Sequence, residues 1–226
     1  AFIALVLTAV FAYAQSAFER AVAAYESGNL QEAVKQFSIV IKEDPKNAIA
    51  YLARGLAYEK LSDYSKAIAD FTQAIKIDSR LELAYNSRGI AYGRLGDHNK
   101  AIADFNQAIK IDPSNATAYY NRGIAYEKLS DYSKAIADYS QAIKIDPNFA
   151  DAYNNRGLAY GRLGDASKAI ADFNQAIKID PNFAAAYNNR AIAYAFQESY
   201  KKATQDARKA CELGDRKVLK ILGKRS

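Results

Sequence analysis

The chain has 226 residues, 50% of them hydrophobic and 25% charged, so it can bury a core and is neither a disordered nor a collagen-like protein. Its single cysteine, Cys211, excludes an intrachain disulfide, and its single histidine, His98, excludes a metal site built from several histidines of one chain. The net charge of +6 arises in residues 201–226, so no basic stripe runs along the chain and nucleic acid is not an expected partner.

The first segment, residues 1–14 (AFIALVLTAVFAYA), is apolar and uncharged, and two interpretations fit it. The small-x-small ending at residues 12–14 is typical of a secretory leader. Alternatively, the segment begins a retained helix over residues 1–27, about 40 Å long at 1.5 Å per residue, that packs between subunits of a filament. Both interpretations predict export from a bacterial-type cell, with membrane contact only in transit or through this segment. The side chains expected at such an assembly contact are Phe2, Ile3, Leu5, Val6, Leu7, Val10 and Phe11.

The rest of the chain repeats itself every 34 residues. The segment AIADFTQAIKID begins at Ala67, and close copies begin at Ala101, Ala135 and Ala169. Upstream of each copy stands a Tyr-x-x-Arg-Gly-x-Ala-Tyr motif, the first of which begins at Tyr51. A fixed period of this length indicates a repeat architecture in which each repeat is one supersecondary unit.

Each repeat predicts two helices joined by a short turn. In the fourth repeat, Ala118, Arg122 and Tyr126 recur at four-residue intervals, as one face of a helix requires. Asp131 then follows a Leu-Ser break and is placed to cap a second helix, which Asp-Pro at residues 146–147 ends. The predicted unit is therefore a helix–turn–helix hairpin.

Small residues explain how the two helices of a hairpin approach each other. Gly55 in the first helix is expected to face Ala67 in the second, and the same pairing is predicted in the next three repeats. Glycine inside a helix costs about 0.5–1 kcal/mol relative to alanine, so its recurrence indicates close backbone approach.

These motifs resemble the tetratricopeptide repeat (TPR) family, whose 34-residue unit has the same pattern of aromatic, small and proline positions. The resemblance covers six repeats: residues 14–47, 48–81, 82–115, 116–149, 150–183 and 184–217. It implies an all-α fold, a right-handed α-solenoid of helical hairpins over residues 15–217. The hydrophobic helical segment 1–14 is expected to precede the solenoid, and a short basic cap over residues 218–226 is expected to follow it.

In TPR proteins the first helices line a concave groove that holds peptides or partner helices. An asparagine suits such a groove, because its amide both donates to and accepts from a peptide backbone. The alternative interpretation of these positions is an ordinary solvated helix face. The residues that match the family's groove positions are Leu52, Asn86, Tyr120, Asn154, Asn188, Glu59, Lys60, Arg94, Glu127, Lys128 and Arg162.

A second row of side chains departs from the family pattern. Arginine occupies a position where the family usually has leucine, and aspartate recurs sixteen residues later, as in Arg54 and Asp70. A ligand-binding arginine ladder is one interpretation of this row. We favour the other, a repeated ion pair between the two helices of each hairpin.

The sequence shows no glycine-rich phosphate loop and no metal-ligand cluster, so we predict no catalytic residue, no cofactor, no metal and no enzyme activity. We interpret the chain as an exported scaffold that binds a protein or peptide partner, including other copies of itself. The alternative is a structural subunit of an extracellular, pilus-like filament that uses residues 1–14 and end-to-end packing of repeats. Asn115 begins an Asn-Ala-Thr sequence and is a candidate for glycosylation.

Overall fold

The computed structural model describes residues 17–215, and this part of the chain consists of α-helices joined by short turns, without a strand. The first helix, α1, is described over residues 17–26. The helices that follow are α2 (Leu30–Glu43), α3 (Ala48–Lys60), α4 (Tyr64–Ile77), α5 (Glu82–Arg94), α6 (His98–Ile111), α7 (Ala116–Lys128), α8 (Tyr132–Ile145), α9 (Ala150–Arg162), α10 (Ala166–Ile179), α11 (Ala184–Phe196) and α12 (Tyr200–Glu212). The prediction of an all-α chain of helical hairpins is confirmed. The predicted N-terminal segment 1–14 and the predicted cap 218–226 lie outside the described residues.

The described residues divide into two compact halves, one ending at residue 113 and the other beginning at residue 114, which we call the N-terminal and C-terminal halves. In the N-terminal half, α3 pairs with α4 and α5 with α6, and α4 packs against α5 so that successive hairpins stack. In the C-terminal half the hairpins are α7–α8, α9–α10 and α11–α12, which stack through α8 on α9 and α10 on α11. Each half is thus a stack of the predicted units.

An aspartate caps the second helix in four of the described hairpins, at the start of α4, α6, α8 and α10. The Oδ1 atom of Asp63 accepts a hydrogen bond from the backbone N–H of Lys66 at 3.2 Å, and Asp97, Asp131 and Asp165 make the same bond. This bond satisfies one of the backbone donors that a helix start leaves without a partner. The predicted caps are confirmed.

The turn between the two helices needs one residue in the left-handed region. Ser62 has φ 61° and Gly96 has φ 83°, and in both turns the next backbone N–H donates back to the first helix, from Asp63 to Tyr58 and from Asp97 to Tyr92 at 2.9 Å. The alternating turn sequences Leu-Ser-Asp and Leu-Gly-Asp therefore form the same turn, with serine in a conformation that favours glycine.

In α3, α5, α7 and α9, an aromatic ring lies nearest to the glycine that follows the recurring arginine. A Cβ atom on Gly55 would lie 2.6 Å from Cε1 of Phe71, and the ring of Phe71 is fully buried. Ala67, the predicted neighbour, is also fully buried, but it is not the side chain that fills the space left by Gly55. The prediction of close approach holds, and the glycine makes room for a ring.

The helices from α2 to α12 have 13 or 14 residues each, about 20 Å at 1.5 Å per residue. Within residues 17–215, none is long and apolar enough to cross a membrane.

Candidate functional site

The predicted groove residues lie on one side of the first helix of each hairpin. In α3 this side comprises Ile49, Leu52, Leu56, Glu59 and Lys60, which follow one another at helical spacing. We call this side of the helix the first-helix face. The name includes the matching residues of α5 in the N-terminal half and of α7, α9 and α11 in the C-terminal half.

The predicted groove residues on this face differ in exposure. The basic side chains Lys60, Arg94, Lys128 and Arg162 are exposed, and Glu59, Glu127 and Tyr120 are half-buried. The other four predicted groove residues are buried, each with only 5–7% of its surface exposed, so they are not open to a ligand in this structure. Those four are Leu52, Asn86, Asn154 and Asn188.

The asparagines of the C-terminal half bind one another across successive repeats. The side-chain amide of Asn155 donates to the Tyr120 hydroxyl at 3.1 Å, and that of Asn154 donates to the amide oxygen of Asn155 at 3.1 Å. Asn189 of the next repeat donates to the amide oxygen of Asn154 at 2.9 Å. The Asn154 amide, predicted to contact a peptide backbone, thus joins repeats instead. Among the described residues, the amide of Asn188 has no hydrogen-bond partner.

A tyrosine that the sequence analysis did not single out reaches this face from the second helix. Tyr139 is fully buried, and its hydroxyl donates to Oε2 of Glu127 at 3.0 Å. The ring centroids of Tyr139 and Tyr120 lie 5.8 Å apart. Burial raises the pKa of both hydroxyls, and it raises the pKa of Tyr120 to about 12. The signal was present in the sequence, since four sister repeats have phenylalanine where the fourth repeat has Tyr139.

The first-helix face of the N-terminal half carries two exposed aliphatic side chains. Ile49 and Leu83, which the sequence analysis also left unnamed, are 49% and 47% exposed. Burial raises the pKa of Glu59, and the nearby charge of Arg94 acts in the opposite direction. The Lys60 ammonium lies 4.1 Å from the ring centroid of Tyr25, a cation–π distance.

The recurring arginines are structural. In the fifth repeat, Nε and Nη2 of Arg156 donate to the two carboxylate oxygens of Asp172 at 2.8 and 2.7 Å, and Nη1 donates to Ser140 of the preceding hairpin at 3.0 Å. The side chains of Arg156 and Asp172 are only 19% and 8% exposed. The same two-bond pair recurs in the second, third, fourth and sixth repeats, so the predicted Arg–Asp pairing is confirmed and these arginines are occupied. The pairs are Arg54–Asp70, Arg88–Asp104, Arg122–Asp138 and Arg190–Asp206. In the first repeat, Nε of Arg20 donates to Oε1 of Gln36 at 3.3 Å instead.

Family models match most of the chain. A model described as "TPR repeat" matches residues 94–130 and 128–164, and models described as "Tetratricopeptide repeat" match residues 18–81, 150–183 and 173–205. The chain belongs to the tetratricopeptide repeat family. The matched range 150–183 coincides with the fifth repeat.

Solved structures of other TPR proteins have the same fold. The structure described as "Crystal structure of MamA protein" is 27% identical, with a TM-score of 0.69 over 75% of this chain and 92% of that one. YrrB, "a TPR protein with an unusual peptide-binding site", is 24% identical, with a TM-score of 0.69 over 83% of this chain and 97% of that one. PilW, a "widely conserved type IV pilus biogenesis factor", is 21% identical, with a TM-score of 0.81 over 93% of this chain and 98% of that one. No curated protein sequence matches the chain closely.

Two further features of this TPR chain bear on its chemistry. Asn115, the candidate for glycosylation, precedes α7 and uses its side-chain oxygen to accept a hydrogen bond from the backbone N–H of Ala118 at 3.1 Å. Across residues 17–215, histidine, cysteine and acidic side chains form no group arranged to hold a metal ion.

Proposed function

We propose that this TPR chain is a non-catalytic scaffold that binds a segment of another protein on its first-helix faces. The observation that supports the proposal is the placement of four basic side chains at one position of four successive repeats, all exposed and outside the hairpin cores. Solenoids build binding surfaces by repeating one position per unit, and a pair of basic side chains in each half selects a partner of opposite charge. The four are Lys60, Arg94, Lys128 and Arg162.

Two variants with matched charge test this proposal. The face variant replaces these four basic residues with glutamine. The control variant replaces four exposed lysines near the ends of second helices with glutamine, so that both variants lose four positive charges. The control positions are Lys76, Lys110, Lys144 and Lys178.

The immobilised wild-type chain is used to capture proteins from an extract of the source cells, and capture is repeated with both variants. We expect the face variant to lose the partner and the control variant to keep it, because only the face variant changes the proposed surface. Loss of the partner from both variants, or from neither, would contradict the proposal.

We further propose that the protein is exported, on the basis of the apolar residues 1–14. The mass of the intact protein from its native source tests which interpretation of this segment holds. A chain that begins at Gln15 supports a cleaved leader, and a chain that begins at Ala1 within fibres supports a retained assembly helix. Recovery of the protein from the cytoplasm alone would contradict export.

The alternative function is a subunit of a pilus-like filament that assembles through residues 1–14 and end-to-end packing of repeats. Sedimentation of the chain with and without residues 1–14 tests the alternative, which is lost if both forms are monomeric.

A further inference from the structure

Two exposed aliphatic side chains lie at matching positions on the first-helix face of the N-terminal half. Ile49 of α3 and Leu83 of α5 are each about half exposed, at 49% and 47%, and α3 contacts α5. The half-buried Leu56 and Ile90 follow seven residues later on the same two helices and extend the apolar surface. Apolar side chains scattered singly over a surface are ordinary, whereas adjoining ones form a patch that indicates an interaction site.

The other end of the same face is basic. Lys60 and Arg94 are exposed and stand eleven residues after Ile49 and Leu83, about 16 Å away along each helix at 1.5 Å per residue. Glu59 is the acidic residue on this part of the face, and it is half-buried near Arg94. The face therefore combines an apolar end with an exposed basic end.

No first helix of the C-terminal half has both an exposed apolar side chain at the position of Ile49 and a basic one at the position of Lys60. In α7 and α9 the basic residue is kept, but the exposed Thr117 and Asp151 occupy the positions of Ile49 and Leu83. In α11, Ala185 occupies the first position and Phe196, 82% exposed, occupies the basic one. An apolar group that docks on Ile49 and Leu83 would meet a hydroxyl and a carboxylate at the corresponding place in the C-terminal half. The combination is therefore a property of the N-terminal half and not of the repeat in general.

Two stretches of this chain do not complement the face. Residues 1–14 carry no carboxylate side chain to meet Lys60 and Arg94, and residues 201–226 hold nine basic side chains against three acidic ones. Charge complementarity thus favours an occupant that is richer in carboxylates than either stretch.

We propose that the first-helix face of the N-terminal half binds an extended acidic segment of another protein. A large apolar side chain of that segment packs against Ile49 and Leu83, and a carboxylate pairs with Lys60 and Arg94. An extended chain rises about 3.3 Å per residue, so the two groups are separated by about five residues. This assignment rests on the proposed function and names the chemistry of the partner.

A library of random dodecapeptides displayed on phage, selected on the immobilised full-length chain, provides the probe. We expect the enriched peptides to carry a large apolar residue and an aspartate or glutamate about five residues apart. The affinity of the most enriched peptide is then measured by fluorescence anisotropy for Leu83→Asp, for Arg94→Glu and for a control, Leu163→Asp. Leu163 is 54% exposed at the end of α9 in the C-terminal half, so it matches Leu83 in exposure and lies outside the proposed site.

Leu83→Asp is expected to weaken binding about 10- to 100-fold, because an apolar contact is lost and a carboxylate faces the acidic peptide. Arg94→Glu is expected to have a similar effect, which a peptide with lysine in place of its acidic residues reverses. Leu163→Asp is expected to leave the affinity unchanged. Thermal unfolding of each variant separates loss of the face from loss of the fold.

Three results would overturn the inference. The enriched peptides could bind Leu83→Asp and Arg94→Glu as tightly as the wild type but fail to bind Arg162→Glu. Binding would then lie on the C-terminal half, and the proposed function would stand. Failure to enrich any peptide would overturn the proposed function as well. A change of the protein alone from dimer to monomer on Leu83→Asp would identify a second copy of the chain as the occupant.

Discussion

Gly89 of α5 lies so close to Phe105 of α6 that a Cβ atom on the glycine would stand 2.7 Å from Cε1 of the ring. In the sixth repeat both positions change together, to Ala191 and Ala207, so the larger first-helix residue occurs with the smaller second-helix residue. The first repeat combines an alanine, Ala21, with a phenylalanine, both buried, which indicates that a hairpin can adjust to the extra methyl group at some cost.

Gly89→Ala is therefore expected to lower the free energy of unfolding by about 1–3 kcal/mol, because the methyl group overpacks a closed core. Gly93→Ala in the same helix is the matched control, since its nearest neighbour would be the Cβ atom of Ala101 at 4.0 Å. It is expected to raise the free energy of unfolding by about 0.5–1 kcal/mol through helix propensity. Urea unfolding followed by circular dichroism measures both. Equal effects of the two substitutions would contradict the proposed contact.

Arg156→Leu is expected to lower the free energy of unfolding by about 3–5 kcal/mol, because it leaves the Asp172 carboxylate buried without its partner. The double variant Arg156→Leu/Asp172→Leu removes both charges and is expected to recover most of that loss. Lys168→Ala, which breaks an exposed pair with Asp165, is the control and is expected to have no measurable effect. If the double variant is as unstable as the sum of the two single variants, the pair does not act as a unit.

The two turn sequences allow a reciprocal test of backbone strain. Ser62 and Ser130 both have φ 61°, whereas Gly96 and Gly164 occupy the same place in the alternating repeats. Ser62→Gly is expected to raise the free energy of unfolding by about 1 kcal/mol and Gly96→Ser to lower it by a similar amount, because only glycine adopts this region without steric cost. Thermal unfolding checks both, and a change of the same sign in both variants would exclude this explanation.

The features that the sequence predicted well are local ones. The aspartate caps and the 34-residue hairpin depend on residues within a few positions of each other, as with Asp63 and Lys66. The spacing predicted the close approach at Gly55 but not which side chain lies nearest, because whether Ala67 or Phe71 fills the gap depends on how the two helices rotate against each other. The burial of Asn154 was missed for a related reason, since its amide is satisfied by Asn189 of another repeat. Repeat spacing alone does not reveal contacts between repeats.

Glu59 provides a prediction for pH dependence. Burial raises its pKa in the folded chain, so the folded state holds the proton more readily than the unfolded chain does. Protonated Glu59 thus contributes to stability at a pH below the pKa of Glu59 in the unfolded chain. This contribution is lost as the pH rises through the pKa of Glu59 in the folded chain. Glu59→Gln is expected to be more stable than the wild type at pH 7, and the difference is expected to vanish below about pH 4.

Arg94 opposes the effect of burial on Glu59, so Arg94→Gln is expected to raise the pKa of Glu59 further. A carbon-13 NMR titration of the Glu59 carboxyl group measures this pKa directly. Arg162→Gln, at the matching position of the fifth repeat, serves as the control and is expected to leave the titration unchanged. A lower pKa of Glu59 in Arg94→Gln would contradict the assignment.

The Tyr139–Glu127 pair predicts an asymmetry between its two single variants. Glu127→Ala is expected to lower the free energy of unfolding by about 1–3 kcal/mol, because the buried Tyr139 hydroxyl loses its acceptor. Tyr139→Phe removes the hydroxyl together with its need for a partner and is expected to cost no more than about 1 kcal/mol. Phe71 with Glu59 in the second repeat is the natural precedent for this combination. Urea unfolding of Glu127→Ala in the Tyr139→Phe background is the decisive measurement. In the Tyr139→Phe background, Glu127→Ala should lower the free energy of unfolding by close to zero. An undiminished loss would show that Glu127 stabilises the hairpin without the Tyr139 hydroxyl.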